Sequence, residues 1–245
     1  MRCLIGIDDT DNPDTRGTGF RARQLGARLA ESGMAVTRGI TRHQLYVHPS
    51  IPYTSHNSSA CLDVEIDQQE LTALRDFCRA YLESESADGS DAGLCVSGFD
   101  DVPVAVSDFG LAAKNEVLDL GQAEALAAQH GIHLEGVTGD HMGMIGALSA
   151  VGLRRGGGDG RFIWLKGVRE LSGSVTAARL LESTGIESIE TTDGQRLPPD
   201  ASIRVEPWPR PVLLRGMAVL LTQETGCGDA GYCWEILGKE AIRRY

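Results

Sequence analysis

The chain has 245 residues, 42% of them apolar and 5% aromatic, and carries a net charge of −11. That length suits one large domain or two small ones at roughly 150 residues each, and it buries enough surface to fold without disulfide or metal staples. So acidic a chain is a poor broad, unspecific binder of nucleic acid, which draws on basic surface. No apolar run of about 18 residues is present, so no transmembrane helix and no membrane partner are expected. The opening Met1-Arg2-Cys3-Leu4-Ile5-Gly6-Ile7-Asp8-Asp9 brings acids in before any full apolar stretch. It does not read as a signal peptide, and a cytoplasmic protein is expected. The six cysteines, Cys3, Cys61, Cys78, Cys95, Cys227 and Cys233, are scattered and are predicted to be free thiols in a reducing compartment. Lysine stands only at 114, 166 and 239, so arginine carries the positive charge. Arginine is the better phosphate clamp, although genome composition gives the same bias.

In chain order, Arg2 to Ile7 predicts a short buried strand running into an acidic turn. Phe20, Leu25, Ala27, Leu29 and Ala30 fit one face of a helix over 18–31, ended by Gly33. Val36 to Val47 alternates in part and is stopped by Pro49 and Pro52, after which 53–59 is a polar loop. Strand alternation returns over 60–66, a helix follows over 68–83, and 85–91 is a solvated loop by composition. The stretches 94–98 and 102–106 read as strands, or as a strand and a helix entry. A helix over 120–130 and a strand over 133–137 complete a β-α-β-α-β run, predicted as an inserted domain at 60–137 within a core of 1–59 and 138–245. Gly143 to Gly152 predicts a buried helix of small residues, and 154–160 a Gly-rich turn. A strand over 162–165 and a short helix over 176–184 follow. From Ser188 onward strands and turns dominate, with Pro207, Pro209 and Pro211 marking an edge or crossing segment. The whole is an α/β (α+β) fold.

The sharpest chemical signal is Gly6-Ile7-Asp8-Asp9-Thr10-Asp11 at a strand end. Asp8, Asp9 and Asp11 crowd three like charges, which is costly without a cation. Hard oxygen ligands suit Mg²⁺ bridging a nucleotide's phosphates, and Gly6 would let backbone approach a ligand. The plainer alternative is a solvated, capping turn. Arg16-Gly17-Thr18-Gly19 opens the first helix. Gly17 and Gly19 around the Thr18 hydroxyl make either a small anion site or a simple cap. No Walker motif is present. His56 in the polar loop suits a general base or phosphate contact, as does His141 before the small-residue helix. Asn57 beside Ser58 and Ser59 could hold ribose or phosphate. Gly143 at the next helix start could face the nucleotide. The spacing of His43, His48 and His56 fits no standard zinc site, and neither does that of Cys227 and Cys233. Gly156 to Gly160 follows a helix and precedes a strand, the wrong polarity for a phosphate cradle, and reads as a turn.

Three of these segments together resemble the agmatidine synthetase (TiaS) family. They are Gly6-Ile7-Asp8-Asp9-Thr10-Asp11-Asn12 followed by Thr18, the loop His48-Pro49-Ser50-Ile51-Pro52-Tyr53-Thr54-Ser55-His56-Asn57-Ser58-Ser59-Ala60, and the helix Gly143-Met144-Ile145-Gly146-Ala147-Leu148-Ser149-Ala150-Val151-Gly152. The resemblance spans about residues 1–165. It implies a kinase-like core with an inserted ferredoxin-like domain, with ATP and Mg²⁺ at the acidic signature. Asp8, Asp9 and Asp11 would be the catalytic and metal residues, Thr18 the family's phosphorylatable threonine, and Gly6, Thr10, Gly17, Gly19, His56, Asn57 and Gly143 the nucleotide's surroundings. The family phosphorylates a tRNA cytidine before agmatine attacks. It surrounds its threonine with a Met-Cys-Thr-Thr-Tyr-like run where this chain has Arg16-Gly17-Thr18-Gly19-Phe20. It also carries an OB-fold and a zinc ribbon after the core, whereas no four-cysteine ribbon occurs here. The expectation is therefore an ATP- and Mg²⁺-dependent enzyme acting on a small-molecule acceptor, with tRNA bound only weakly by the chain alone. Two alternatives stand beside it: a tRNA cytidine-modifying enzyme helped by an RNA-binding partner, and a nucleotide-binding regulatory module without turnover.

Overall fold

The computed structural model describes residues 1–51, 53–54, 56–225, 233–243 and 245. Pro52, Ser55 and Cys227, on which parts of the sequence reading rest, lie outside them. Residues 1–156 and 157–245 form two compact units.

The first unit is built on β1 (Arg2–Asp8), whose interior is fully buried. β1 pairs antiparallel with both β3 (Ser58–Glu65) and β4 (Gly93–Gly98). β2 (Val36–Gln44) adds to β3 and β5 (His133–Gly136) to β4, giving the antiparallel order β5-β4-β1-β3-β2. The predicted inserted domain is therefore not set apart. Its strands β3 and β4 flank β1 on both sides, and the unit boundary falls at Gly156/Gly157 instead. Local periodicity finds strands but not their long-range partners, which is why the grouping differs.

α1 (Thr18–Glu31) covers one sheet face through Ala22, Leu25 and Leu29. Gly33, at φ 70°, ends it in the left-handed region that favours glycine. α2 (Leu71–Glu85), entered by a short 3₁₀ turn at Gln68–Glu70, packs beside it, and the Tyr81 hydroxyl donates to the Arg21 carbonyl at 3.0 Å. The opposite face carries α5 (Gly143–Gly156), backed by α3 (Val104–Ala112) and α4 (Leu120–Gln129). One core cluster joins Leu4, Cys61 and Cys95 of the sheet to Val106, Ala123, Ala147, Leu148 and Val151 of these helices. The 102–106 stretch is thus a helix entry and not a strand. A short apolar run fits either periodicity, and here Pro103 stands as the N-cap of α3.

α5 is longer than its small-residue run suggests, because Arg154 has a buried partner. Its Nη2 donates to Asp63 Oδ2 at 2.6 Å, while Arg2 grips the same carboxylate with Nε and Nη2 at 2.9 and 2.7 Å. Burial works to raise the Asp63 pKa, but the Arg2 hydrogen bond and the Arg154 charge outweigh it and hold the group below its ordinary value.

In the second unit, β6 (Arg161–Trp164), β10 (Val212–Leu214), β11 (Met217–Glu224), β12 (Trp234–Ile236), β9 (Ser202–Val205) and β7 (Gly173–Thr176) pair in that order. β8 (Ser188–Thr191) joins β11 in parallel. Residues of α6 (Ala177–Ser183) share an apolar core with these strands, including Leu180, Ile189, Ile203, Val205 and Leu220. Cys3, Cys61, Cys78 and Cys95 are buried free thiols as expected. Cys233 is disulfide-bonded, against expectation. The expectation rested on an assumed compartment and on no geometry.

α5 lies close to the sheet because glycine removes the Cβ atoms between them. A Cβ on Gly6 would collide with the Ala147 carbonyl, and one on Gly93 with the Gly143 backbone. Gly6→Ala should lower the melting temperature by about 3–10 °C through overpacking. Gly158→Ala, where nothing lies within 4 Å of a new Cβ, should stay within about 1 °C of the wild type. Paired thermal melts check this. Equal melts for the two variants would remove the close-packing account.

Candidate functional site

Antiparallel pairing sets the site. The C-terminal end of β1 lies beside the N-terminal end of β4, with Asp8 opposite Gly93. The start of β3 borders it, with Ile7 opposite Ala60, and α5 begins at the same end of the sheet. A pocket of about 830 Å³, counting its open mouth, forms there. Asp8, Asp9, Asp11, Thr18, Thr54, His56, Asn57, Gly143 and Gly146 line it, with an apolar wall of Leu45, Ile51, Ala113, Val117, Leu118, Met142 and Ile145. Its charged lining residues are all acidic: the three aspartates and Glu116.

Asp8 is half-buried at the β1 end. Its carboxyl fills the space that a Cβ on Gly146 would take. Burial, then the charges of Asp9 and Asp11, push its pKa up to about 7 against the pull of a backbone hydrogen bond at Asp9 and of the Arg42 charge. Asp9 sits at φ 50°, a left-handed conformation that aspartate tolerates better than most residues. Burial, then the Asp91 and Asp11 charges, raise its pKa to about 6.

Asp11 has a different task. Its Oδ1 accepts the Thr18 backbone N–H and the Thr18 hydroxyl, both at 3.0 Å, and its Oδ2 accepts the Thr54 hydroxyl at 2.6 Å. Asp11 therefore occupies the first N–H of α1, where the sequence reading placed a phosphate, and ties the 48–57 loop to the acidic turn. The carboxylate also suits the positive end of the helix dipole. Among the described residues no group of three or more His, Cys, Asp or Glu side chains is placed to hold a metal ion. Of the three predicted aspartates, all of which line the pocket, Asp11 is engaged by these hydrogen bonds. Mg²⁺ needs only one or two carboxylates when phosphate oxygens complete its shell. Asp8 and Asp9, hard donors at the pocket whose crowding a cation would relieve, fit that smaller demand.

The remaining predicted residues divide. His56 is exposed and lines the pocket. Asn57 lines it too, but its Nδ2 donates to the Tyr46 carbonyl at 2.6 Å and its own carbonyl accepts Leu45 N–H and Gln44 Nε2, so it closes the loop base. Gly143 lines the pocket, yet a Cβ there would meet Asp91 O, Gly93 N and Asp8 O at 2.5–2.8 Å, so its smallness also serves packing. Gly6 faces α5 and no ligand. Thr10 is fully buried, and its hydroxyl donates to Thr18 Oγ1 at 3.2 Å. Gly17 and Gly19 are not among the lining residues, although Gly17 is the N-cap of α1. His141, at φ 66°, packs its ring over Gly136, and His43 is buried against the Thr41 hydroxyl at 2.8 Å. Sequence reasoning missed Asp91, taken as part of a solvated loop. Its Oδ1 accepts the Asp140 N–H at 2.6 Å and its charge faces Asp9. The signal was its position just before a strand antiparallel to β1. The apolar wall from the α3–α4 connection was missed as well.

No protein-family model matches the sequence. The structure is similar to that of a tRNA fluorescent labeling enzyme, with a TM-score of 0.54 and 26% identity over 62% of this chain and 36% of that one. It is equally similar to TiaS, the agmatidine synthetase of an isoleucine tRNA, solved in complex with that tRNA and ATP, at TM-score 0.54, 25% identity and the same coverage. The likeness to agmatidine synthetase holds. An uncharacterized protein of Methanocaldococcus jannaschii is 28% identical over 153 residues, which is 62% of this chain and 50% of that protein. The chain thus matches about half of the curated relative and about a third of the solved structures.

The raised carboxyls make stability depend on pH. The folded chain holds protons on Asp8 and Asp9 that the unfolded chain releases near pH 4, so their contribution is full below about pH 4 and is lost as pH rises through about 6–7. Asp8→Asn should raise the melting temperature by about 3–6 °C at pH 8 and leave it unchanged near pH 4. Calorimetric melts at both pH values test this, and a gain that is independent of pH would refute the crowding.

Proposed function

We propose that this chain is an ATP-using enzyme of the agmatidine synthetase type, which transfers a phosphoryl group to an acceptor base in RNA. The observation that carries this reading is the pair of half-buried aspartates, Asp8 and Asp9, in an acidic pocket that a triphosphate enters only with a cation. Asp8 and Asp9 would hold Mg²⁺, which would supply charge neutralisation at the phosphates. The protein's own part is positioning. Asp11 holds the start of α1 and Thr54 of the loop in one arrangement, with the Thr18 and Thr54 hydroxyls on its two oxygens. The apolar wall from Leu45 to Leu118 excludes water from the acceptor side. His56, exposed and lining the pocket, would take the proton released when the incoming amine displaces the phosphate.

The similarity to a TiaS complex with tRNA and ATP, at 25% identity, supports an RNA base over a free small molecule as the acceptor. The net charge of −11 makes RNA binding by the chain weak, so a partner or the incoming amine would strengthen it. Among the described residues no helix is long and apolar enough to cross a membrane. We assign the reaction to the cytoplasm, where ATP and tRNA meet.

Titration calorimetry should show ATP binding that needs Mg²⁺ and tightens as pH rises toward about 7, because the cation competes with the Asp8 proton. Asp8→Asn should weaken that binding at least tenfold while the protein stays folded. Thr18→Ala should cut ATP turnover in the presence of tRNA and agmatine, and Thr18→Ser should keep most of it. ATP binding of equal affinity with and without Mg²⁺, in wild type and Asp8→Asn alike, would defeat the proposal.

A further inference from the structure

In the second unit, the segment Pro207-Trp208-Pro209-Arg210-Pro211 leads into β10. Its three prolines fix φ and carry no N–H, so the strap is stiff. It is anchored by buried Pro209 and by the Phe162 N–H, which donates to the Pro211 carbonyl at 2.9 Å. Trp208 nevertheless remains 39% exposed. The Arg169 guanidinium lies 5.5 Å and the Arg210 guanidinium 4.9 Å from its ring centroid. Arg161 stands on β6 opposite Val212 of β10. Its pKa is lowered by burial and by the charges of Arg243 and Arg210, against the opposing charges of Asp159 and Glu240. Two guanidinium groups thus lie over a partly exposed indole, in a chain whose net charge is −11.

We propose that Trp208 is a stacking platform for a base of single-stranded RNA, whose flanking phosphates are met by Arg169 and Arg210 at the ring. A flat aromatic ring next to guanidinium groups pairs two needs of a single strand, a π-face for the base and positive charge for the backbone. An acidic peptide would use the arginines but leave the indole without a role. The prolines hold the ring in place before the strand arrives, which reduces the ordering cost of binding. This inference deepens the RNA reading above. Its test is run without ATP, so failure of the ATP site and failure of the platform are distinguishable.

The probe is a fluorescein-labelled oligouridylate titrated with the full chain at about 50 mM salt, where weak phosphate contacts are still measurable. Micromolar binding with quenching of tryptophan emission is expected. Trp208→Ala should weaken it roughly tenfold and Trp208→Phe far less. Arg169→Gln and Arg210→Gln should each lower the slope of log K against log salt by about 0.7. The arginine variants keep the test decisive should Trp208→Ala fold poorly. Absence of binding at this salt, equal affinity for well-folded Trp208→Ala and wild type, unchanged salt slopes in both arginine variants, or equally strong competition by polyglutamate would each overturn the proposal.

Discussion

The close seat of α5 on the sheet is the constraint from which the site follows. Gly6 and Gly93 open the sheet side, and Gly146 opens the helix side where the Asp8 carboxyl lies. Gly152 does the same for α3, taking the Val106 carbonyl into the space a side chain would fill. A helix standing further off would leave Asp8 in bulk water with an ordinary acidity. At this separation the carboxyl is half enclosed, and its charge becomes expensive unless a positive partner arrives. Packing and chemistry are thus one arrangement, since the contact that makes the core dense also makes the aspartate responsive to a cation.

The opposite end of the same layer is held by charge. Asp63 is fully buried and shared by Arg2 and Arg154. Removing one partner of such a group leaves a buried charge uncompensated, a larger loss than the pair's net worth. The ion cluster fixes how far α5 slides along β1 and β3, and so helps fix where its first residue, Gly143, meets the strand ends. The acidic turn and the arginine-bound aspartate are about as far apart as β1 is long, and one helix registers both.

Much of this was legible in the sequence where the signal is local. β1 and α1 follow from an apolar run and a helical stripe, and α5 from its small residues. The acidic turn was recognisable because three aspartates in four positions need an explanation. What was not legible depends on pairing across the chain. Asp91 reads as one more polar loop residue until the β1–β4 register puts it beside Asp9. Gly6 reads as a ligand-facing residue until α5 is placed over it, and Thr10 as a ligand contact until its hydroxyl is found buried against Thr18. The helix start expected to receive an anion already has one, supplied by Asp11 from seven residues upstream. The apolar run at 102–106 carried no period long enough to decide between strand and helix, and packing against α5 decided it.

The loop from Leu45 to Asn57 is pinned at its base. The Leu45 N–H donates to the Asn57 carbonyl, the Tyr46 N–H to the Ala113 carbonyl, and the Lys114 ammonium to the Gln44 carbonyl at 3.1 Å. All of these acceptors are backbone carbonyls, as is the Tyr46 carbonyl that takes the Asn57 side-chain N–H, and none of these bonds involves residues 47–56. Apart from Thr54, whose hydroxyl binds Asp11, the interior of the loop can therefore change in sequence without shifting the strands that carry the aspartates. Divergence in the pocket's lining can then proceed by exchange within this segment while the acidic end stays constant.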